Sequence, residues 1–264
     1  MDPVSGYASV MRHTVPLLSL ALLLPASTGC RSTDSSADPA PPPVAPVEAS
    51  WITAGVSVEG RPIDYTILGD GAVTVFLIGG IHGNEEAGTP LLLHLAELIA
   101  RSAEPPTWMK DRRVVILPES NPDGLAANQR RNARNVDLNR NFPSRNFWTG
   151  GGGGTTPLSE PESQVIHQLI EEFEPDRILT FHMPVNVIDF DGPARGLARA
   201  MGEVSPLPVK RIGSRAGSLG SYAGLDLGIP IVTVELPASA RELELTESWA
   251  LYGPMILAAI EYER

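Results

Sequence analysis

The sequence predicts an α/β fold of three layers, α/β/α, with helices on both faces of a mixed, mostly parallel central sheet. Three observations point to it. Short apolar runs of strand length alternate with longer segments of helical periodicity from residue 62 to the end. Turn formers such as Gly79-Gly80 punctuate the runs. Polar residues able to do chemistry stand at the carboxyl ends of the runs, where open α/β sheets place their sites.

In chain order, residues 62–68 and 74–78 read as strands, the second ending in Gly79-Gly80. Residues 87–101, AGTPLLLHLAELIAR, have the apolar spacing of a helix, and 113–117 is a buried strand. The polar stretch 118–157 is long for a loop in a compact domain, which marks it as functional. Ser159-x-x-Glu162 with Pro161 in the first turn reads as a capping box opening a helix over 160–173. Strands are expected at 177–181, 185–190, 209–212 and 231–236, and a helix over 247–262 closes the chain.

Ahead of this pattern lie two segments of different composition. Residues 1–30 hold Met11-Arg12-His13, an apolar run over 15–26 and then Ser-Thr-Gly-Cys, the organisation of a secretory signal. The run is shorter than the roughly 20 residues a membrane-spanning helix needs. It resembles the signal peptides of bacterial lipoproteins, in which the cysteine after the cut is acylated. Cys30 is the only cysteine of the 264 residues, so it is the expected lipidation site and no intramolecular disulfide can form. Residues 31–50 are rich in Pro, Ser and Ala and read as a stiff tether, leaving 51–264 as the catalytic domain. The chain is therefore expected to be exported, as a periplasmic or cell-envelope lipoprotein that meets the membrane only through its lipid. Arg31 after the cysteine resembles outer-membrane sorting. A net charge of -11 repels phosphate backbones and excludes nucleic acid as a partner.

The chemistry begins at Ile81-His82-Gly83-Asn84-Glu85-Glu86. A histidine and a glutamate three residues apart at a strand end can turn toward one cation. A catalytic zinc site wants three nitrogen or oxygen ligands and an open water position. His182, ending the apolar run RILTF, is the natural third ligand, whereas His94 and His167 lie within helical patterns and read as structural. In the polar stretch, Arg140 between Asn139 and Asn141 offers a planar fork for a carboxylate. An arginine of the pair Arg130-Arg131 could polarise a carbonyl. Glu235 sits inside the apolar run IVTVELP, where an unpaired carboxylate is costly and a metal-held water is a suitable partner. The run Gly150–154 lacks the Lys-Ser/Thr of a phosphate loop and reads as a flexible connector.

Together, GGIHGNEE, NPDG, VDLNRNFP, SEPE, TFH and TVELP, in this order, resemble the zinc carboxypeptidases of the carboxypeptidase A type over about residues 74–237. The segment FHMPVNVIDFDGPA is most similar to the murein peptide amidase subgroup, which cleaves the γ-D-glutamyl–meso-diaminopimelate bond. The resemblance implies a carboxypeptidase-like fold and one zinc ion per chain, held by His82, Glu85 and His182. It implies Glu235 as general base, Asn139 and Arg140 as the grip on the substrate's terminal carboxylate, and Asp137 as the acid that orients a zinc-binding histidine. Arg130, or its neighbour Arg131, matches the carbonyl-polarising arginine. Asp189 and Asp191 could bind the amine of diaminopimelate or simply face water. The loop before the last catalytic strand reads Ile212-Gly213-Ser214-Arg215-Ala216-Gly217-Ser218, without the family's usual tyrosine, and Tyr222 comes late to replace it.

The expected activity is exo-acting hydrolysis of an amide bond next to a C-terminal carboxylate, in peptides of cell-wall origin. Two other classes share parts of the pattern. An N-acyl amino acid deacylase similar to aspartoacylase would have the H-G-N-E start and the Asp-Leu-Asn-Arg, but NPDG and SEPE favour the carboxypeptidase. A non-catalytic lipoprotein binding zinc or wall peptides would have no need of Glu235.

Overall fold

The computed structural model describes residues 48–263, so the leader, Cys30 and most of the tether lie outside the described residues. Seven strands form one sheet in the order β1-β2-β4-β3-β5-β7-β6. These are β1 (Ile52–Val56), β2 (Pro62–Leu68), β3 (Val73–Ile78), β4 (Arg112–Leu117), β5 (Arg177–His182), β6 (Val185–Asp191) and β7 (Ile231–Pro237). The central four, β4, β3, β5 and β7, are parallel, while β2 and β6 run antiparallel to their neighbours. With β1 antiparallel to β2, five of the seven strands point the same way.

The central strands are buried on both faces, which explains their unbroken apolar runs. On one face Val75, Leu77 and Val234 pack under α1 (Gly88–Ala100), α4 (Arg195–Glu203) and α5 (Leu245–Glu261). α1 presents Leu91, Leu95 and Ile99 at helical spacing to this layer. On the other face Phe76, Ile78 and Val115 meet α3 (Pro161–Phe173), through Val165, Ile166, Leu169 and Ile170. Among the described residues no helix is long and apolar enough to cross a membrane.

Three local expectations are corrected. Residues 209–212 do not form a strand: only Val209 bridges to Ile188, and the Ile212 N–H donates to the Asp189 side chain instead of a ladder. No capping box forms at α3. Glu160 is the N-cap position, and Ser159 donates to the Glu160 carboxylate and accepts from Asn141 Nδ2. At NPDG, Asn121 caps a short helix α2 (Pro122–Ala127) by accepting from the Gly124 N–H at 2.9 Å. The third correction, at the glycine run, belongs with the site below.

α2 is pinned from outside by its own Asp123, a buried carboxylate that accepts from Ser57 Oγ at 2.6 Å, the Glu59 N–H at 2.9 Å and Arg61 Nη1 at 2.6 Å. Burial works against this charge, but hydrogen bonds from Ser57, Glu59 and Arg61 outweigh it and hold the carboxyl below the ordinary aspartate value. A group with a depressed folded pKa stabilises above its unfolded pKa, about 3.9, and loses that contribution as pH falls through the folded value. Asp123→Ala should therefore cost about 2–3 kcal/mol at neutral pH, with the gap from the parent chain narrowing below about pH 4. Urea unfolding of both chains across pH checks it.

Candidate active site

The parallel strands β3, β5 and β7 end on the same edge of the sheet, and that edge gathers the polar residues. His82 and Glu85 lie in the tight turn after β3, where the Glu85 N–H donates to the His82 carbonyl at 3.1 Å. His182 is the last residue of β5, and it stands in register with Glu235 on β7. Strand adjacency alone thus brings residues 100 apart in sequence into contact.

Three atoms converge there. Glu85 Oε2 is 2.9 Å from His82 Nδ1 and 2.8 Å from His182 Nδ1, and the two Nδ1 atoms are 3.0 Å apart. All three residues are buried, and they form a group with the donor set and spacing of a metal site. A tetrahedral zinc with bonds of about 2.0–2.1 Å has ligand–ligand edges of about 3.3 Å, so the three atoms need move apart only a few tenths of an ångström to hold one. The arrangement beyond the ligands fits as well. His82 Nε2 faces Asp137 Oδ1 at 3.1 Å, which leaves Nδ1 as the lone-pair nitrogen when the ring is neutral.

Burial alone would raise the Glu85 carboxyl, but hydrogen bonds from His182 and His82 outweigh it and hold it well below the usual carboxylate range. Asp137 follows the same balance, with His82 as the main opposing partner and Arg130 and Arg140 adding to it. Burial works against charge on His82, yet Asp137 and Glu85 together raise its pKa.

The remaining predicted residues surround this centre in a cavity of about 560 Å³. Arg130 reaches in, its Nη1 2.5 Å from Glu85 Oε1 and its Nε 3.4 Å from Asp137 Oδ2. Arg131 turns away to donate to the Asn135 carbonyl, so of the two arginines it is Arg130 that faces the cavity. Asn139 and Arg140 line the wall in a single 3-10 turn, Leu138–Arg140, capped by Asp137, which accepts from the Asn139 N–H. Asn139 Oδ1 also accepts from the Leu219 N–H at 2.9 Å, tying this turn to the loop before β7. Burial lowers the Arg140 pKa; Asp137 opposes the shift, while repulsion from Arg130 and Arg215 adds to it.

Glu235 also lines the cavity, and its Oε2 is buried without a hydrogen-bond partner. Desolvation raises its pKa, His182 opposes, and the nearby Glu85 carboxylate adds to the rise. A carboxyl in that state is suited to accept a proton.

Three features carried no signal in the sequence. The glycine run is not a free connector. The Asp137 N–H donates to the Gly152 carbonyl, and Asn141 Nδ2 donates to that of Gly153 at 2.6 Å. A side chain at Gly153 would meet the Arg140 carbonyl oxygen at 2.0 Å, and one at Gly217 would meet the same atom at 2.2 Å. Two segments distant in sequence therefore clamp the backbone of Arg140. Second, Ser214 and Arg215 line the cavity from the loop that lacks the expected tyrosine. Tyr222 does not replace it, being buried on a π-helical turn (Gly220–Asp226) with its hydroxyl 2.8 Å from His167 Nδ1. Third, Met183 joins the site through its N–H, 3.2 Å from Glu85 Oε2. His94 packs edge-on against Trp249, as a structural histidine would.

Residues 45–182 match the family model described as zinc carboxypeptidase. Murein peptide amidase A of Escherichia coli K12 is 31% identical over 179 residues, which covers 61% of this chain and 70% of that protein. The enzyme of the same name from Vibrio campbellii is 29% identical over 211 residues, 72% of this chain and 81% of the relative. The crystal structure of murein-tripeptide amidase from Escherichia coli O157 superposes with a TM-score of 0.63 at 25% identity, covering 81% of this chain and 92% of that one.

If Asp137 orients His82 for the metal, Asp137→Ala should weaken zinc binding by about 10- to 100-fold. Competition with a chromophoric chelator measures this directly, and His182→Ala should lose the high-affinity site altogether.

Proposed function

Because the chain belongs to the zinc carboxypeptidase family, we propose that it is an exo-acting peptidase, with one zinc ion per chain, cleaving the amide bond before a C-terminal residue in peptidoglycan-derived peptides of the γ-D-Glu–meso-diaminopimelate type. The observation that carries the reading is the unpartnered, buried Glu235 Oε2 in the same cavity as the convergent His82, Glu85 and His182. The murein class is supported by the relatives that cover most of the folded part, whose names are those of murein peptide amidases. The orphaned Glu235 also speaks against a purely binding protein, since burying an unsatisfied carboxylate oxygen costs about 1–3 kcal/mol or more without a catalytic return.

Zinc held by His82, Glu85 and His182 would supply Lewis acidity, polarising the scissile carbonyl and making water acidic near neutral pH. The protein's own groups do the rest. Glu235, raised by burial, receives the water proton and passes it to the leaving amine. Arg130, held at the cavity by Glu85 and Asp137, offers N–H donors to the oxygen that gains negative charge. Asn139 and Arg140 take the terminal carboxylate of the substrate, which restricts cleavage to the last bond. The leader and Cys30 motivate export to the cell envelope and lipid anchoring, where such peptides arise.

The test is incubation of the zinc-loaded chain with L-Ala-γ-D-Glu-meso-diaminopimelate and detection of free diaminopimelate by mass spectrometry. Release should occur and stop on chelation; no release, with zinc bound, refutes the substrate assignment. Glu235→Gln should keep its zinc and lose about 10²- to 10⁴-fold in kcat. Arg140→Ala should chiefly raise KM, as expected for a group that binds the carboxylate throughout the reaction.

A further inference from the structure

Two buried carboxylates share a single amide. Asn132 is buried, and its Nδ2 donates to Glu160 Oε2 at 2.7 Å and to Glu162 Oε2 at 3.1 Å. Its Oδ1 accepts from the Arg134 N–H at 3.1 Å and the Val136 N–H at 3.0 Å. Both donors and both lone pairs of this side chain are used, so the network fixes its plane and which end is oxygen. The anchor is costly. Glu160 and Glu162 are both buried at the start of α3. Burial raises the Glu162 pKa; hydrogen bonds from its own N–H, Asn132 and Val58 oppose the rise, and the charge of Asp123 adds to it. Apolar contacts would hold a loop at less cost, whereas a fully satisfied polar network adds direction.

What Asn132 directs is the turn between two residues of the site. Its N–H donates to the Val136 carbonyl at 3.1 Å and its carbonyl accepts from the Asn135 N–H at 2.9 Å. Arg131 braces the same turn from outside through the Asn135 carbonyl. Arg130 stands two residues before Asn132, and Asp137 follows Val136 directly. The turn therefore sets the separation of these two side chains, which meet with Arg130 Nε 3.4 Å from Asp137 Oδ2. Arg130 continues to Glu85, and Asp137 to His82. Asn132 does not itself line the cavity, so it acts there through its neighbours. The backbone of Arg140 is clamped separately, by Gly153 and Gly217.

We propose that Asn132, held by Glu160 and Glu162, is a positioning residue that aims Arg130 at the developing oxyanion and Asp137 at His82. For Arg130 the inference rests on the exo-peptidase reading; for Asp137 and the metal it stands without a substrate. The contact has a distinctive chemistry, because the two amide hydrogens of Asn132 face acceptors only. Asn132→Asp keeps the shape and turns attraction into repulsion. Glu162→Gln sets an amide NH2 against Asn132 Nδ2 and creates the opposite mismatch. Made together, the two changes exchange roles: the amide introduced at 162 donates to the carboxylate introduced at 132, and its oxygen still accepts from the Val58 N–H, as Glu162 Oε1 does at 3.2 Å.

The test compares the full chain with Asn132→Asp, Glu162→Gln and the double variant. Three readings are taken on each: zinc affinity by chelator competition, melting temperature, and kcat and KM of the zinc-loaded chain on L-Ala-γ-D-Glu-meso-diaminopimelate. Each single change should lower kcat by about 10²-fold with KM little changed, since misplacement near 1 Å has that effect. Zinc affinity should fall about tenfold, the lower end of the effect of losing Asp137 itself. The double variant should regain at least about tenfold in kcat and most of the zinc affinity, although Glu160 still faces a carboxylate. Folded single variants with the parent kcat and zinc affinity, whatever their melting temperatures, would overturn the proposal, because the clamp would then be structural only. If Asn132→Asp does not fold, Glu162→Gln and the double variant decide by the same readings. A parent chain that binds zinc and cleaves no tripeptide refutes the substrate assignment, and the zinc affinities of the variants still decide this inference.

Discussion

Three electron-rich atoms, His82 Nδ1, His182 Nδ1 and Glu85 Oε2, are forced to within 3.0 Å of one another at a buried sheet edge. Neighbouring parallel strands impose this meeting, because β3 and β5 hydrogen-bond along their length and deliver their ends to the same place. Such a cluster is stable only with a positive centre among its members, a proton or a metal. Much of the surrounding architecture serves that requirement. Asp137 holds the far nitrogen of His82, the Met183 N–H steadies Glu85, and Arg130 balances the carboxylates from the cavity side.

The sequence made the site legible where chemistry and periodicity coincide. H-x-x-E after an apolar run ending in Gly-Gly, and a histidine closing another such run, could be read because strand ends in α/β sheets converge. The motif resemblance added Asp137 and the roles of Asn139, Arg140 and Glu235, all of which the fold brings into one cavity. It left Arg130 and Arg131 unresolved, because neighbouring side chains on a loop share composition and differ only in direction. Other elements were illegible for identifiable reasons. β1 is largely exposed and has little apolar contrast. α4 spans nine residues and buries only Leu197, Ala198 and Met201, at helical spacing on one face, so its periodic signal is short. Residues 209–212 have strand-like composition, but Asp189 takes the Ile212 N–H that a ladder would use.

The cavity concentrates groups that folding alone would not favour. Two carboxylate oxygens, on Glu235 and Asp191, are buried without partners, each at a cost of about 1–3 kcal/mol. The rest of the domain can carry that cost because β3, β4 and β5 are packed on both faces with almost no exposed apolar surface. Rigidity and reactivity are thus divided along each strand, apolar through the middle and polar at the end.

The clamp on Arg140 has a consequence for how this protein can change. Gly153 and Gly217 press on one carbonyl oxygen from two separate segments. A run of glycines ordinarily reads as slack, the place where a chain can lengthen, shorten or be replaced at little cost. Here the slack is spent: any side chain gained at either position, or a residue inserted between them and their anchors, displaces the guanidinium with its backbone. The room for drift lies instead at the solvent-facing residues of the edge strands, and the least distinctive stretch of the sequence is among the least free to vary.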